Sequence, residues 1–137
     1  KGKWQRIGDV NSGDTLTYVD TSAKSGTWYA YRIRARKGTS FGAYSDAVVT
    51  RRLTRPAISV KERSYGVAVK WKSIKGAKKY KIYRQEEKGS MKQIGTTTDP
   101  YWKDKTARSG YRYVYTVKAV SGSVQSSAAK RVTIIKK

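Results

Sequence analysis

The sequence contains no cysteine and no histidine. The first absence excludes disulfides, thiolate metal sites and a cysteine nucleophile. The second excludes Ser-His-Asp chemistry, imidazole metal ligation and a histidine pH switch. Acidic residues are scarce, with 9 Asp and Glu against 31 Lys and Arg. Few carboxylates leave little room for paired-acid catalysis, which needs two facing across a cleft. No run approaches the about 18 apolar residues of a membrane helix. No signal peptide is visible, and Lys1 rather than Met opens the chain, which reads as a fragment or a processed product.

What is abundant is positive charge and β-type pattern. The net charge is +22 over 137 residues, and it favours polyanionic neighbours such as nucleic acid, anionic lipid or an acidic polymer. It is uneven, because residues 1–51 hold 9 basic and 4 acidic residues, and residues 52–137 hold 22 and 5. The chain is 37% hydrophobic, enough for a packed core.

One phrase occurs twice. "KSGTWYAYRIRA" (Lys24–Ala35) parallels "RSGYRYVYTVKA" (Arg108–Ala119). Without a gap, Asp20–Ala35 matches Asp104–Ala119 at 7 of 16 positions. "KWQRIG" (Lys3–Gly8) lines up with "SMKQIG" (Ser90–Gly95). The second copy has additional chain in front of it, from about Thr54 to Lys88. The chain therefore reads as the back half of one module, residues 1–53, then a complete module, residues 54–137. "TRPAI" (Thr54–Ile58) joins them, with Pro56 suited to the start of an edge strand.

Period-two alternation predicts strands. Val67, Val69 and Trp71 share one face, as do Tyr80 and Ile82, and Tyr113, Tyr115, Val117 and Ala119. The same alternation assigns Tyr29, Tyr31 and Ile33 to a core. Turn-like breaks such as Ser109-Gly110 and Ser121-Gly122 separate these runs, and no segment has a long helical period. Short strands with frequent turns predict an all-β antiparallel sandwich.

"WKSIKGAKKYKIYR" (Trp71–Arg84), followed by Gly110, Tyr113, Tyr115, Val117 and Ala119, resembles the fibronectin type III modules of bacterial secreted and cell-surface proteins. The resemblance covers residues 55–137 in full, and 1–51 as strands C′, E, F and G alone. It implies an immunoglobulin-like β-sandwich in tandem, and a tyrosine-corner role for Tyr113 and Tyr29. A sheet without its strand C leaves apolar faces and edges open. The missing strands then lie upstream, or a neighbour supplies cover.

The candidate site is a basic sheet face. With Tyr80 and Ile82 inward, Lys79, Lys81 and Tyr83 point outward on strand C. Arg112, Val114, Thr116 and Lys118 point outward on the neighbouring strand F. Trp28, Arg32, Arg34 and Arg36 repeat the arrangement in the first copy. Interleaved cations and aromatics suit an anionic polymer, a sugar or a nucleotide, and a charged face also simply resists aggregation. Phe41 and Tyr44, in the predicted F–G loop, are candidate partner contacts, with Phe41 alternatively packing on the module junction. Glu86 and Glu87 read as turn residues, as do Asp20 and Asp104. "DVNSGD" (Asp9–Asp14) fails calcium-loop spacing, since its sixth position is Asp14 and not glycine.

These readings predict a non-enzymatic module without metal or cofactor. Its partners would be neighbouring modules of the same chain and an anionic polymer or polysaccharide. Its place would be extracellular, secreted or bound to a cell wall, as spacer or adhesion segment. The alternatives are a non-specific nucleic-acid binder and an accessory module of a carbohydrate-active enzyme.

Overall fold

The computed structural model describes residues 2–137. Its strands, in chain order, are β1 Trp28–Tyr31, β2 Arg36–Lys37, β3 Ser40–Phe41, β4 Val48–Arg51, β5 Ile58–Arg63, β6 Gly66–Trp71, β7 Lys79–Glu86, β8 Lys92–Thr97, β9 Tyr101–Asp104, β10 Arg112–Ser121, β11 Val124–Gln125 and β12 Val132–Ile135. No helix occurs among the described residues.

The second half is a two-sheet sandwich. One sheet has the order β5-β6-β9, and the other has β11-β10-β7-β8 with β12 also on β10, all pairs antiparallel. Alternation works here because two faces meet. Val67, Val69 and Trp71 from β6 pack on Tyr80, Ile82, Tyr113, Tyr115, Val117 and Ala119. Each fully buried Val or Ile contributes about 1.5–3 kcal/mol. Trp71 meets Tyr80 edge-on at 5.2 Å, and the Tyr80 hydroxyl accepts the Ile74 N–H at 2.9 Å.

The first half departs from expectation. Residues 2–27 form no strand, so the anticipated strands C′ and E are irregular chain. What remains is the β1–β4 ladder and the short β2–β3 hairpin. The repeated phrase makes a 10-residue strand in β10 but a 4-residue strand in β1. The reason lies in the neighbours. β10 is bonded by β7 on one edge and by β12 and β11 on the other, whereas β1 pairs with β4 alone. Ile33, expected in a core, is 76% exposed, while its counterpart Val117 is fully buried. Among the described residues no opposing β6-like strand covers Ile33, so its apolar face meets water.

The two halves meet backbone to backbone. Within the first half the N–H of Gly26 donates to Arg52 O at 2.9 Å, and across the joint Ser25 Oγ donates to Lys75 O at 3.1 Å. Gly26 has φ +76°, and a Cβ there would stand 2.7 Å from Lys75 O. A Cβ on Gly76, at φ +89°, would stand 2.5 Å from Gly26 Cα. Both positions therefore need glycine, for conformation and for closeness. Leu53, assigned by sequence to the first module, inserts into the core of the second.

Candidate functional site

Both copies rebuild one hydrogen-bond frame from the repeated residues. Tyr113 Oη accepts the Arg108 N–H at 2.8 Å, and Tyr29 Oη accepts the Lys24 N–H at 3.0 Å. Tyr115 donates to Asp104 Oδ2 at 2.7 Å, and Tyr31 donates to Asp20 Oδ2 at 2.8 Å. Each aspartate also accepts the backbone N–H two residues on, from Thr106 or Ser22. The acids are thus turn residues, as their position suggests, and anchors for a tyrosine as well. Sequence reasoning missed the second role, although an Asp recurs 11 residues ahead of a Tyr in both copies.

These contacts set the local charge. Burial pushes the Asp104 carboxyl up, but hydrogen bonds from Tyr115, Arg84 and Thr106 outweigh it and hold it below its ordinary value. Burial, then Asp104, pushes the Tyr115 hydroxyl well up. At the first copy, the hydrogen bond from Ser22, then that from Tyr31, lowers Asp20. Burial, then Asp20, pushes Tyr31 up to about 12. The frame stays charged at Asp and neutral at Tyr near neutral pH, which suits structure and offers no proton-transfer group there.

Glu86 and Glu87 are also absorbed by the fold. Glu86 is ion-paired with Arg84 and Arg108, and Glu87 Oε1 accepts the Arg112 N–H at 2.6 Å. Asp9 pairs with Arg6. Among the described residues no three acids converge as a metal site.

The basic face divides in two. On β7 and β10, Lys81 lies directly opposite Lys118, Tyr83 opposite Thr116, and Lys79 opposite Val120. Lys118 Nζ sits 5.6 Å from the Tyr83 ring centroid. Among the described residues, neither Lys81 nor Lys118 meets a carboxylate. Arg112 does not join this stripe. It is six residues from Lys118 along β10, or about 20 Å at strand rise, and it pairs with Ile135 on β12. Thr116, expected outward, is buried and donates to Ala129 O at 2.7 Å, because the chain after β11 folds back over it.

The first half arranges its cations differently, as a stack. The Arg32 guanidinium lies 4.1 Å from the Trp4 ring and 3.8 Å from Tyr44. Arg34 lies 3.9 Å from Phe41 and 4.6 Å from Tyr44. Arg36 pairs with Phe41 in the β2–β3 hairpin and is exposed. Phe41 therefore packs on an arginine at the end of the half-module remote from Gly26, and the junction alternative is overturned. Trp4 was not anticipated, since its contact with Arg32 spans 28 residues and carries no local pattern. Trp28 stands apart, beneath Arg51 at 4.6 Å. Stacked guanidiniums keep their in-plane N–H donors free for an anion.

Beside Asp20 and Tyr31 an open cleft of about 560 Å³ is lined also by Tyr18, Val19, Thr50 and Arg52.

Comparison with known structures decides the architecture. An Fn3-like protein of Clostridium thermocellum superposes with TM-score 0.55 at 24% identity, over 62% of this chain and 94% of that one. The chain has the fibronectin type III fold. The fibronectin type III domains FN1–FN3 of chicken CNTN1 match 88% of the chain and 46% of theirs, with TM-score 0.56 at 19% identity. Pectate lyase PelI of Erwinia chrysanthemi, in complex with tetragalacturonic acid, also matches, with TM-score 0.52 at 20% identity. That match covers 58% of this chain, which spans only 28% of the lyase. No family profile and no curated protein matches the sequence.

Proposed function

We propose that this fibronectin type III chain is a non-catalytic segment of a larger secreted or surface protein. Its two closely joined halves would hold neighbouring domains apart, and its lysine stripe would bind an anionic polysaccharide. The direct Lys81–Lys118 cross-strand pair carries the binding part. Like charges directly opposite one another weaken a sheet, so a fold selected for stability alone has no use for them. A polyanion lying across β7 and β10 neutralises both lysines and meets the Tyr83 face beside them. The Ser25, Gly26, Lys75 and Gly76 contacts support the spacer part, since they leave no free linker between the halves. The pectate lyase match supports occurrence of such modules beside carbohydrate-active domains.

The test is binding of polygalacturonate by calorimetry at low and physiological salt. The expected result is saturable binding that weakens with salt and is lost when Lys81 and Lys118 are both changed to Gln. Unchanged binding in that variant would sink the stripe. Equal or tighter binding of duplex DNA, lost in step with salt alone, would favour non-specific charge attraction instead.

A further inference from the structure

One hairpin of the first half carries a ladder of alternating cations and rings. Arg32 and Arg34 lie on the chain between β1 and β2, and Phe41 and Tyr44 lie on its return. Backbone pairing fixes their places. The Ser45 N–H donates to Ile33 O at 2.8 Å, the Gly42 N–H donates to Ala35 O at 3.0 Å, and Arg36 stands opposite Phe41. Arg32 then meets Tyr44 at 3.8 Å, and Arg34 meets Tyr44 at 4.6 Å and Phe41 at 3.9 Å. All of these contacts fall within residues 32–45.

The hairpin closes without the ladder. In the second copy the Ala129 N–H donates to Val117 O at 2.8 Å, and Val120 stands opposite Gln125, which is the same pairing. The equivalents there of Arg32, Arg34, Phe41 and Tyr44 are Thr116, Lys118, Gln125 and Ala128. This corner needs no arginine and no ring, so the ladder answers to something other than the fold. Its donors are also unspent. A guanidinium carries five N–H groups. Among the described residues, the side chains of Arg6, Arg52, Arg63, Arg84 and Arg108 donate to protein oxygens, and those of Arg32 and Arg34 do not. Neither meets a carboxylate within ion-pair distance.

Geometry selects the anion. Both guanidiniums touch the Tyr44 ring, so those two distances together bound their separation. A guanidinium fork holds its carbon roughly 4 Å from the sulfur or phosphorus it grips, so one oxyanion reaches both. Two forks on one anion engage three oxygens when they share one. A carboxylate or a phosphodiester offers two free oxygens, and a sulfate or phosphate monoester offers three. We infer that the Arg32–Tyr44–Arg34 ladder is a seat for a sulfate or phosphate monoester carried on a sugar. The choice of sugar as carrier rests on the polysaccharide reading above. The seat itself does not, because the lysines of β7 and β10 take no part in it. Lysine is a point charge without a fork, so the stripe accepts carboxylates where the ladder discriminates against them.

The probes are galactose carrying a sulfate, a phosphate or a carboxylate on the same carbon, each titrated into the whole chain. The readout is the side-chain Nε–H signals of Arg32 and Arg34 in NMR spectra, which report this seat separately from the lysine stripe. The expected result is saturable shifts with at least one of the two esters, and binding about tenfold weaker with the carboxylate. Arg32→Lys keeps the charge and removes one fork, so it should weaken the ester-induced shift at Arg34 about tenfold. Native signals from the tyrosines of β10 verify that this variant is folded. Equal response to ester and carboxylate, indifference of Arg34 to Arg32→Lys, or no saturable shift would overturn the proposal. Tighter binding of O-phosphoserine than of either sugar ester would overturn the carrier. Failure of polygalacturonate to bind would sink the lysine stripe and leave these shifts in place.

Discussion

Asp104 and Tyr115 share a 2.7 Å hydrogen bond in the interior of the second half, with the Arg84 guanidinium on the same carboxylate oxygen. A buried carboxylate held this way is a stability element whose strength depends on pH. Its proton affinity is lowered in the folded state, so its contribution is present above the unfolded value of about 4 and fades as pH falls through the lower folded value. Asp104→Asn is expected to lose about 2–3 kcal/mol at pH 7, below the full cost of breaking a buried pair because Arg84 keeps some solvent contact. It should also flatten the acid limb of the stability profile. Urea titrations between pH 2 and 7 check both.

The alkaline limb has the opposite sign. Tyr115 has its proton affinity raised in the folded state. Its contribution is complete below the unfolded value of about 10 and is lost as pH rises beyond it. Tyr115→Phe should remove that alkaline loss, read by thermal melts from pH 8 to 11.

The tyrosine pair Tyr113 and Tyr29 separates burial from geometry. Both accept an N–H five residues upstream, at 2.8 and 3.0 Å. Tyr113 is fully buried and Tyr29 is not. Tyr113→Phe should cost about 1–3 kcal/mol by stranding the Arg108 N–H, and Tyr29→Phe less than about 1, since water replaces the bond. Denaturant midpoints with unchanged slopes would confirm this, and equal losses would refute it.

Gly26→Ala tests the joint. The change forces φ +76° on a residue with a side chain and drives a Cβ toward Lys75 O. Small-angle scattering should show the two halves losing their fixed arrangement, while β10 retains its native tyrosine environment. An unchanged scattering profile would mean that the contact between Gly26 and Gly76 does not hold the halves together.

Lys118→Glu should separate stability from binding. An acid opposite Lys81 turns repulsion into attraction, gaining up to about 1 kcal/mol, while polygalacturonate affinity falls. A loss of stability instead would show that Lys118 contributes more through its stem over Tyr83 than it costs through its charge.

Much of this was legible in the residues. Alternation in Val67–Trp71, Tyr80–Tyr83 and Tyr113–Ala119 names the strands and their inner faces, because both faces of the sandwich are present in residues 54–137. In residues 1–53 the same logic misplaces Ile33. Alternation tells which face a side chain takes, and is silent on whether another sheet meets that face. The lysine stripe was legible for the same reason that the strands were. Arg112 shares the outward alternation of β10 but lies about 20 Å from Lys118 along the strand, since sharing a face does not mean sharing a site. The Trp4–Arg32–Tyr44 stack was illegible, since it joins three distant segments through side-chain ends that follow no period.

The difference between β1 and β10 has a consequence in time. The amides of Thr116 and Lys118 are locked in a ladder between two strands, and their hydrogens should resist exchange with heavy water until the whole second half opens. The amides of Arg32 and Arg34, in the same repeated phrase, find no backbone acceptor among the described residues and should exchange almost at once. One recurring run of residues therefore ticks slowly in one copy and fast in the other, set by the company each copy keeps.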